Sequence, residues 1–208
     1  MSLTMNLDVI GMVKIFDPKT NEVFVDKKNA IHYENMSKAI ANCLGNKNTE
    51  PGFGGFITEM HFGNGGTTVD PTGVITYLPT NTNVQSADLY SPTYYKIVDN
   101  TSAANSDKAR NKIEISHIAG LIYTDIIVSC LLDYGEPAGQ AVFDNSQDLS
   151  GEFIFDELGL KGFSNDGEGL GPLLTHVIFS PVQKSLNRLI QIDYTVRIQT
   201  LTNLSTNA

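Results

Sequence analysis

Tryptophan is absent, and only two cysteines, Cys43 and Cys130, occur in 208 residues. Without tryptophan, a carbohydrate-binding platform would have to be built from tyrosine alone. Two cysteines with no histidine close by in sequence do not make a zinc site. Their wide separation leaves a disulfide open, but free cysteine usually serves as a small buried hydrophobe. Basic residues are also scarce. Fourteen Lys and Arg against twenty-three Asp and Glu leave a net charge of −9. Binding to nucleic acid draws on cations that displace counterions from phosphates, so this balance argues against it, and against an anionic membrane surface. No stretch is long and apolar enough to span a bilayer. Met1 to Asp8 lacks a basic region followed by an apolar run, so no secretory signal is expected.

Catalytic signatures are missing too. There is no G-x-S-x-G elbow, no S-x-x-K and no nucleophilic cysteine signature. Neither phosphate-binding glycine motif is present. Gly63-Asn64-Gly65-Gly66 follows an apolar run, yet Thr67 to Pro71 opens no helix that could receive a phosphate. A glycine turn needing positive φ accounts for it better. His32, His61, His117 and His176 stand too far apart to form a local metal pair. No cofactor and no enzymatic activity are expected.

What is present is a β pattern. Hydrophobic residues make up 41% of the chain and charged residues 18%, with Asn, Thr, Ser and Gly filling the difference. That length supports one substantial core or two small ones. Residues 6 to 27 read as a hairpin: Leu7, Val9, Gly11, Val13 and Ile15 alternate, Asp17-Pro18 turns, and Val23-Phe24-Val25 resumes. Residues 34 to 45 carry Met36, Ile40 and Leu44 at helical spacing, with Asn35 as cap and Gly45 as stop. That amphipathic stripe should lie on a sheet or a neighbouring subunit. Phe56 to Phe62, Leu121 to Leu132, Phe153 to Phe155 and Leu173 to Phe179 read as strands. The clearest strand alternates Ile190, Ile192, Tyr194, Val196 and Ile198 with polar residues, leaving one wet face. The expectation is a mainly β chain, a single antiparallel β-sandwich over residues 1–208 with one short amphipathic helix and long loops. Residues 67–111 form a polar excursion with two strand-like islands, 74–78 and 94–98, and ordering by neighbouring subunits is expected for it.

Asp156 and Glu157 are adjacent carboxylates on a strand. Alternation sends neighbours to opposite faces, so they should not share a site. Residues 144–152 space oxygen ligands as a calcium loop does, but Leu149 stands where an EF-hand loop wants glycine, and an acidic solvated loop explains the stretch. Lys184 and Arg188 are expected at the surface. Tyr77, Tyr90, Tyr94 and Tyr95 are candidates for a subunit interface, where aromatics are enriched. Cross-strand packing explains Tyr94 and Tyr95 equally well.

Two segments carry a family resemblance: Phe62-Gly63-Asn64-Gly65-Gly66, and Phe155-Asp156-Glu157-Leu158-Gly159-Leu160. They are followed by Leu174 to Lys184, with its Pro181, and by the last alternating strand, Leu189 to Gln199. This order of elements resembles tailed-bacteriophage tail proteins of the tail-collar or tail-fibre attachment type. The likeness spans about two thirds of the chain as an order of features, and its motifs are short. The chain departs from the pattern in its longer excursion and in lacking a fibrous C-terminal part. The resemblance implies a structural virion component: a collar, neck, baseplate or fibre-attachment protein assembled in the host cytoplasm. Its partners would be copies of itself and other virion proteins. A capsid decoration protein and a receptor- or carbohydrate-binding sandwich are the alternatives, with a tail-associated glycan hydrolase behind them.

Overall fold

The computed structural model describes residues 4–46, 53–84, 86–137 and 152–203. In chain order the elements are β1 (Thr4–Phe16), β2 (Val23–Ile31), α1 (Tyr33–Gly45), β3 (Phe53–Gly63), β4 (Thr67–Val69) and β5 (Ile75–Tyr77). There follow β6 (Pro92–Ile97), β7 (Lys112–Ser116), β8 (Tyr123–Leu132), β9 (Glu152–Ser164), β10 (Thr175–Ser185) and β11 (Ile190–Asn203). Nine strands form one antiparallel sheet in the order β6-β3-β9-β10-β2-β1-β11-β8-β7, and β4 and β5 form a separate hairpin. The fold is mainly β and sandwich-like.

The sheet is curled, and it is joined by few pairs in the middle. Between β10 and β2 only Thr175 pairs with Ile31 and His176 with Ala30. On one side β6, β3, β9 and β10 are laced together; on the other, β2, β1, β11, β8 and β7 are. The inward faces of both halves join in one hydrophobic cluster. The first half contributes an aromatic knot: Phe62 meets Phe155 edge-on at 5.3 Å, and Phe155 meets Phe153 at 5.5 Å and Phe179 at 5.8 Å. The first and last of these are edge-to-face and the Phe153–Phe155 pair is stacked, and both arrangements add to the burial energy of the rings. The second half contributes Val13, Ile15, Ile192, Tyr194 and Leu132, all buried.

The first hairpin forms as expected. The Asp17 carboxylate accepts from the amides of Lys19 and Thr20 at 2.8 and 3.2 Å, and Asn21 takes a left-handed φ of 60°. The helix is capped differently from expectation. His32, not Asn35, is the N-cap: its Nδ1 accepts the Asn35 amide at 3.2 Å while Nε2 meets the Val84 carbonyl at 2.6 Å. Asn35 is buried and donates to the Leu173 carbonyl at 2.9 Å. At the other end Asn46, φ 50°, takes the left-handed position that Gly45 was expected to mark. The buried face of α1 is Asn35, Met36, Ala39 and Asn42, so the stripe is rotated and Leu44 is 85% exposed.

The polar excursion is ordered by its own chain. Besides β4, β5 and β6 it is anchored by Leu78 N–H to Gly66 O at 2.9 Å and Val98 N–H to Thr58 O at 2.9 Å. The buried Asn111 accepts the Leu131 amide at 2.9 Å, and Asn105 donates to the Asn111 carbonyl at 2.8 Å. Both cysteines are free, Cys130 buried and Cys43 exposed, and burial pushes the Cys130 thiol up to about 12.

Lys184 is not at the surface. It is fully buried, pairs across the sheet with Phe153, and donates to the Ser185 carbonyl at 2.8 Å. A break in the β9–β10 register between Ile178 and Val182 shifts which residues face inward, so Val182 and Lys184 turn to the core. Burial lowers the amine to about 8, against the pull of Glu136 and Asp133. Arg188 behaves as expected of a surface charge, reaching Asp17 at 3.4 Å and Glu22 at 3.0 Å. Unfolded lysine titrates near 10.5, so between about 8 and 10.5 the unfolded chain binds more protons. Stability from this group therefore rises with pH across that window. Lys184→Met should stabilise the protein by about 1–3 kcal/mol at neutral pH and remove the rise, as read by urea denaturation at pH 7 and pH 10.

Candidate functional site

Glycine and carboxylate meet at the end of β3. That strand stops at Gly63, opposite Glu157 of β9, and Asp156 lies where the β9–β10 pairing is interrupted. The chain leaving β3 fills the gap. Glu157 Oε1 accepts the Gly65 amide at 3.1 Å; Asp156 accepts the amides of Gly66 at 2.9 Å and Thr67 at 2.8 Å, together with the Thr67 hydroxyl. Glu157 also reaches the other side of the excursion, accepting Tyr90 N–H at 2.9 Å and Ser91 N–H at 2.8 Å. The adjacent carboxylates thus share one site, contrary to the expectation from strand alternation. Alternation governs paired strand, and here the pairing stops on both sides.

The glycines are required by space rather than by φ. None of Gly63, Gly65 and Gly66 has positive φ. A methyl group on Gly63 would stand 2.5 Å from the Glu157 carboxylate and 2.6 Å from the Ser91 carbonyl. One on Gly66 would stand 2.9 Å from Ile178. The turn lies so close to the carboxylates that no Cβ fits.

His176 completes the lock. Its Nδ1 accepts the Asn81 amide at 2.8 Å, which puts the ring proton on Nε2, 3.0 Å from Glu157 Oε2. Glu157 and His176 are both fully buried. Burial raises the Glu157 carboxyl, but the His176 N–H and the amides of Ser91, Tyr90 and Gly65 outweigh it, holding the group below its ordinary value. In effect five backbone amides form an anion-binding cradle that the protein's own carboxylates fill. A carboxylate so saturated is a poor base and a good anchor.

A second charged cluster lies farther along the same strands. Glu59 and His61, two apart on β3, share a face, and His61 Nε2 stands 2.8 Å from Glu59 Oε2. Glu59 accepts the Gly169 amide at 2.9 Å, and Lys161 donates to the Gly169 carbonyl at 3.0 Å and to Asp88 at 2.6 Å. Burial pushes the His61 imidazole below its ordinary value, against the Glu59 carboxylate that raises it. The two clusters together fasten three loops, at 64–67, 81–91 and 168–169, to the β3-β9-β10 face.

The four tyrosines are placed as follows. Tyr94 is half-buried against Phe62 at 5.9 Å and Phe153 at 6.2 Å, and burial raises its phenol. Tyr95 stacks on His61 at 5.3 Å and donates to Glu168 at 2.9 Å. Tyr90 donates to the Pro79 carbonyl at 2.7 Å, and the Tyr77 hydroxyl meets Ser180 Oγ at 2.6 Å. Tyr77 and Tyr90 keep exposed rings. His61, Lys161, Asp88 and His176 were not singled out from sequence as a charged network, although the Glu59–His61 spacing was readable. Among the described residues no group of three or more His, Cys, Asp or Glu is arranged to hold a metal. The calcium-like stretch 144–152 lies outside the described residues except for Glu152.

Comparison with protein-family models, with curated proteins and with solved structures finds no match. Glu157→Gln puts an amide NH2 among N–H donors and should cost about 3–5 kcal/mol, measured by chemical denaturation. The folded carboxyl titrates below its ordinary 4.5, so its stabilisation is present above that value and disappears as pH falls through the folded one. Wild type should therefore lose stability below about pH 4.5, whereas Glu157→Gln should lack this group's share of the loss.

Proposed function

We propose that this chain is a structural component of a tailed-phage particle, a collar, neck, baseplate or fibre-attachment protein that acts by assembly rather than by catalysis. One observation carries the reading. The two segments that resemble the tail family, Phe62 to Gly66 and Phe155 to Leu160, meet in space as a lock. Their carboxylates are spent on backbone amides, which suits a part whose task is to hold loops in a fixed shape. Such a part works by geometry: a rigid sheet presents fixed loops, and repetition multiplies modest contacts.

The exposed rings of Tyr77 and Tyr90 are available to partners, and their hydroxyls are held by Ser180 and Pro79, which fixes how the rings are presented. Purified particles from a producing culture, dissociated and examined by mass spectrometry, should contain this chain in a constant ratio to the other virion proteins. A chain that stays in the lysate while complete particles form without it would remove the reading.

A further inference from the structure

The inner face of the larger half-sheet is longer than its cover. On β1 the residues Val13 and Ile15 lie in the core, while Val9 is half-buried and Leu7 exposed on the same face. The register carries that face outward: Val9 pairs with Ile198, Val196 with Ile126, and Ile126 with Ile115. Helix α1 and β3 cover only part of it. Between them lies a cavity of about 680 Å3 lined by Ile40, Phe56, Ile113, Ile115, Ile126 and Ile198 among others. Its lining is mostly apolar, with Leu44 85% and Ile115 67% exposed and Phe56 also open to solvent, and Asp99, Asn100 and Thr101 supply its polar side. Beyond the cavity the face continues to two further exposed side chains, Leu7 and Ile122, the carbonyl of the latter accepting the Thr200 amide at 2.9 Å.

We propose that this overhanging face is the contact between two copies of the chain, related by a twofold axis. This rests on the assembly reading above and names its first interface. Three features point to a second copy. Projecting side chains and receiving cavity belong to the same patch, which is what a self-complementary twofold contact requires. The area is of the right size: side chains of roughly 150–200 Å2, about half of it exposed on Leu7, Leu44, Phe56, Ile115 and Ile122, with their half-buried neighbours, present on the order of 600 Å2, toward the ~800 Å2 per partner of a standard interface. The charges are also arranged for it. Each copy carries −9. On this face the strands show Leu7, Val9, Thr124, Ile126, Ile198 and Thr200, none of them charged, whereas Asp8, Asp125 and Arg197 point to the other side. Two like-charged molecules approach most cheaply across an uncharged face.

Sedimentation equilibrium over a wide concentration range tests this on the full chain, with native mass spectrometry reporting any bound small molecule. Wild type should be a dimer without adduct. Ile115→Lys and Ile122→Lys, both at exposed positions, should keep the circular dichroism spectrum and melting temperature of the wild-type monomer unit and weaken dimerisation about 100-fold or more. Val74→Lys, exposed on the separate β4–β5 hairpin, should dimerise normally. A dimer that survives both lysine variants overturns the proposal, as does a monomeric wild type, with or without a co-purified lipid in the cavity. Because presence in particles is measured independently, either failure leaves the particle reading to stand or fall on its own test.

Discussion

The fold depends on two carboxylates that gather backbone amides. Without Asp156 and Glu157, the amides of Gly65, Gly66, Thr67, Tyr90 and Ser91 would be left without these partners at the edge of the core. Unpaired buried amides are expensive, and so is an unpaired buried carboxylate. Each therefore makes the other tolerable. The polar excursion over residues 67–111 has little apolar surface of its own to hold it down, and this exchange of hydrogen bonds does the work that burial does elsewhere. His176 ties the Glu157 carboxylate to Asn81, so the same charge holds the chain at residues 65, 81 and 90–91.

Much of the architecture was legible in the sequence. The alternation from Ile190 to Ile198, the Asp17-Pro18 turn and the single helix all reappear, because each is set by local chemistry with a clear period. The failures share a cause. Lys184 was expected outside because alternation was carried no further than Phe179, and the irregularity between Ile178 and Val182 reverses the parity beyond it. Asp156 and Glu157 were expected to diverge for the same reason: the rule of alternating faces assumes a paired strand on each side. Where a ladder breaks depends on partners far away in sequence, and no window of residues contains that information. The glycine turn was noticed but explained by φ, when the constraint is the nearness of a carboxylate about ninety residues later.

Charge is used in this protein as internal fastening. Glu59, Lys161 and Glu157 are all buried, with the His61 ring hydrogen-bonded beside Glu59, in a chain with a low overall charged content. Buried ion pairs add little net stability over apolar contacts, because desolvation offsets attraction, but breaking one is costly. That asymmetry favours a single loop arrangement over near alternatives. Lys184 stands apart, since the core gains no comparable lock from it and its amine is shifted by burial rather than by pairing.

The placement of β11 has a consequence for the order of events during synthesis. Its partners are β1, the first strand of the chain, and β8, and Thr4 lies opposite Asn203. The larger half-sheet therefore cannot close until residues 190–203 have left the ribosome, and until then β1 has only β2 beside it, with its other edge uncovered. Pairing across such a sequence separation is slow to form, and an open apolar edge is vulnerable while it waits. The smaller half, with β9 and β10 adjacent in sequence and β3 and β6 upstream of them, is complete by residue 185. Of the two leaves, the smaller has all its strands first, and the larger is the one still awaiting its central strand.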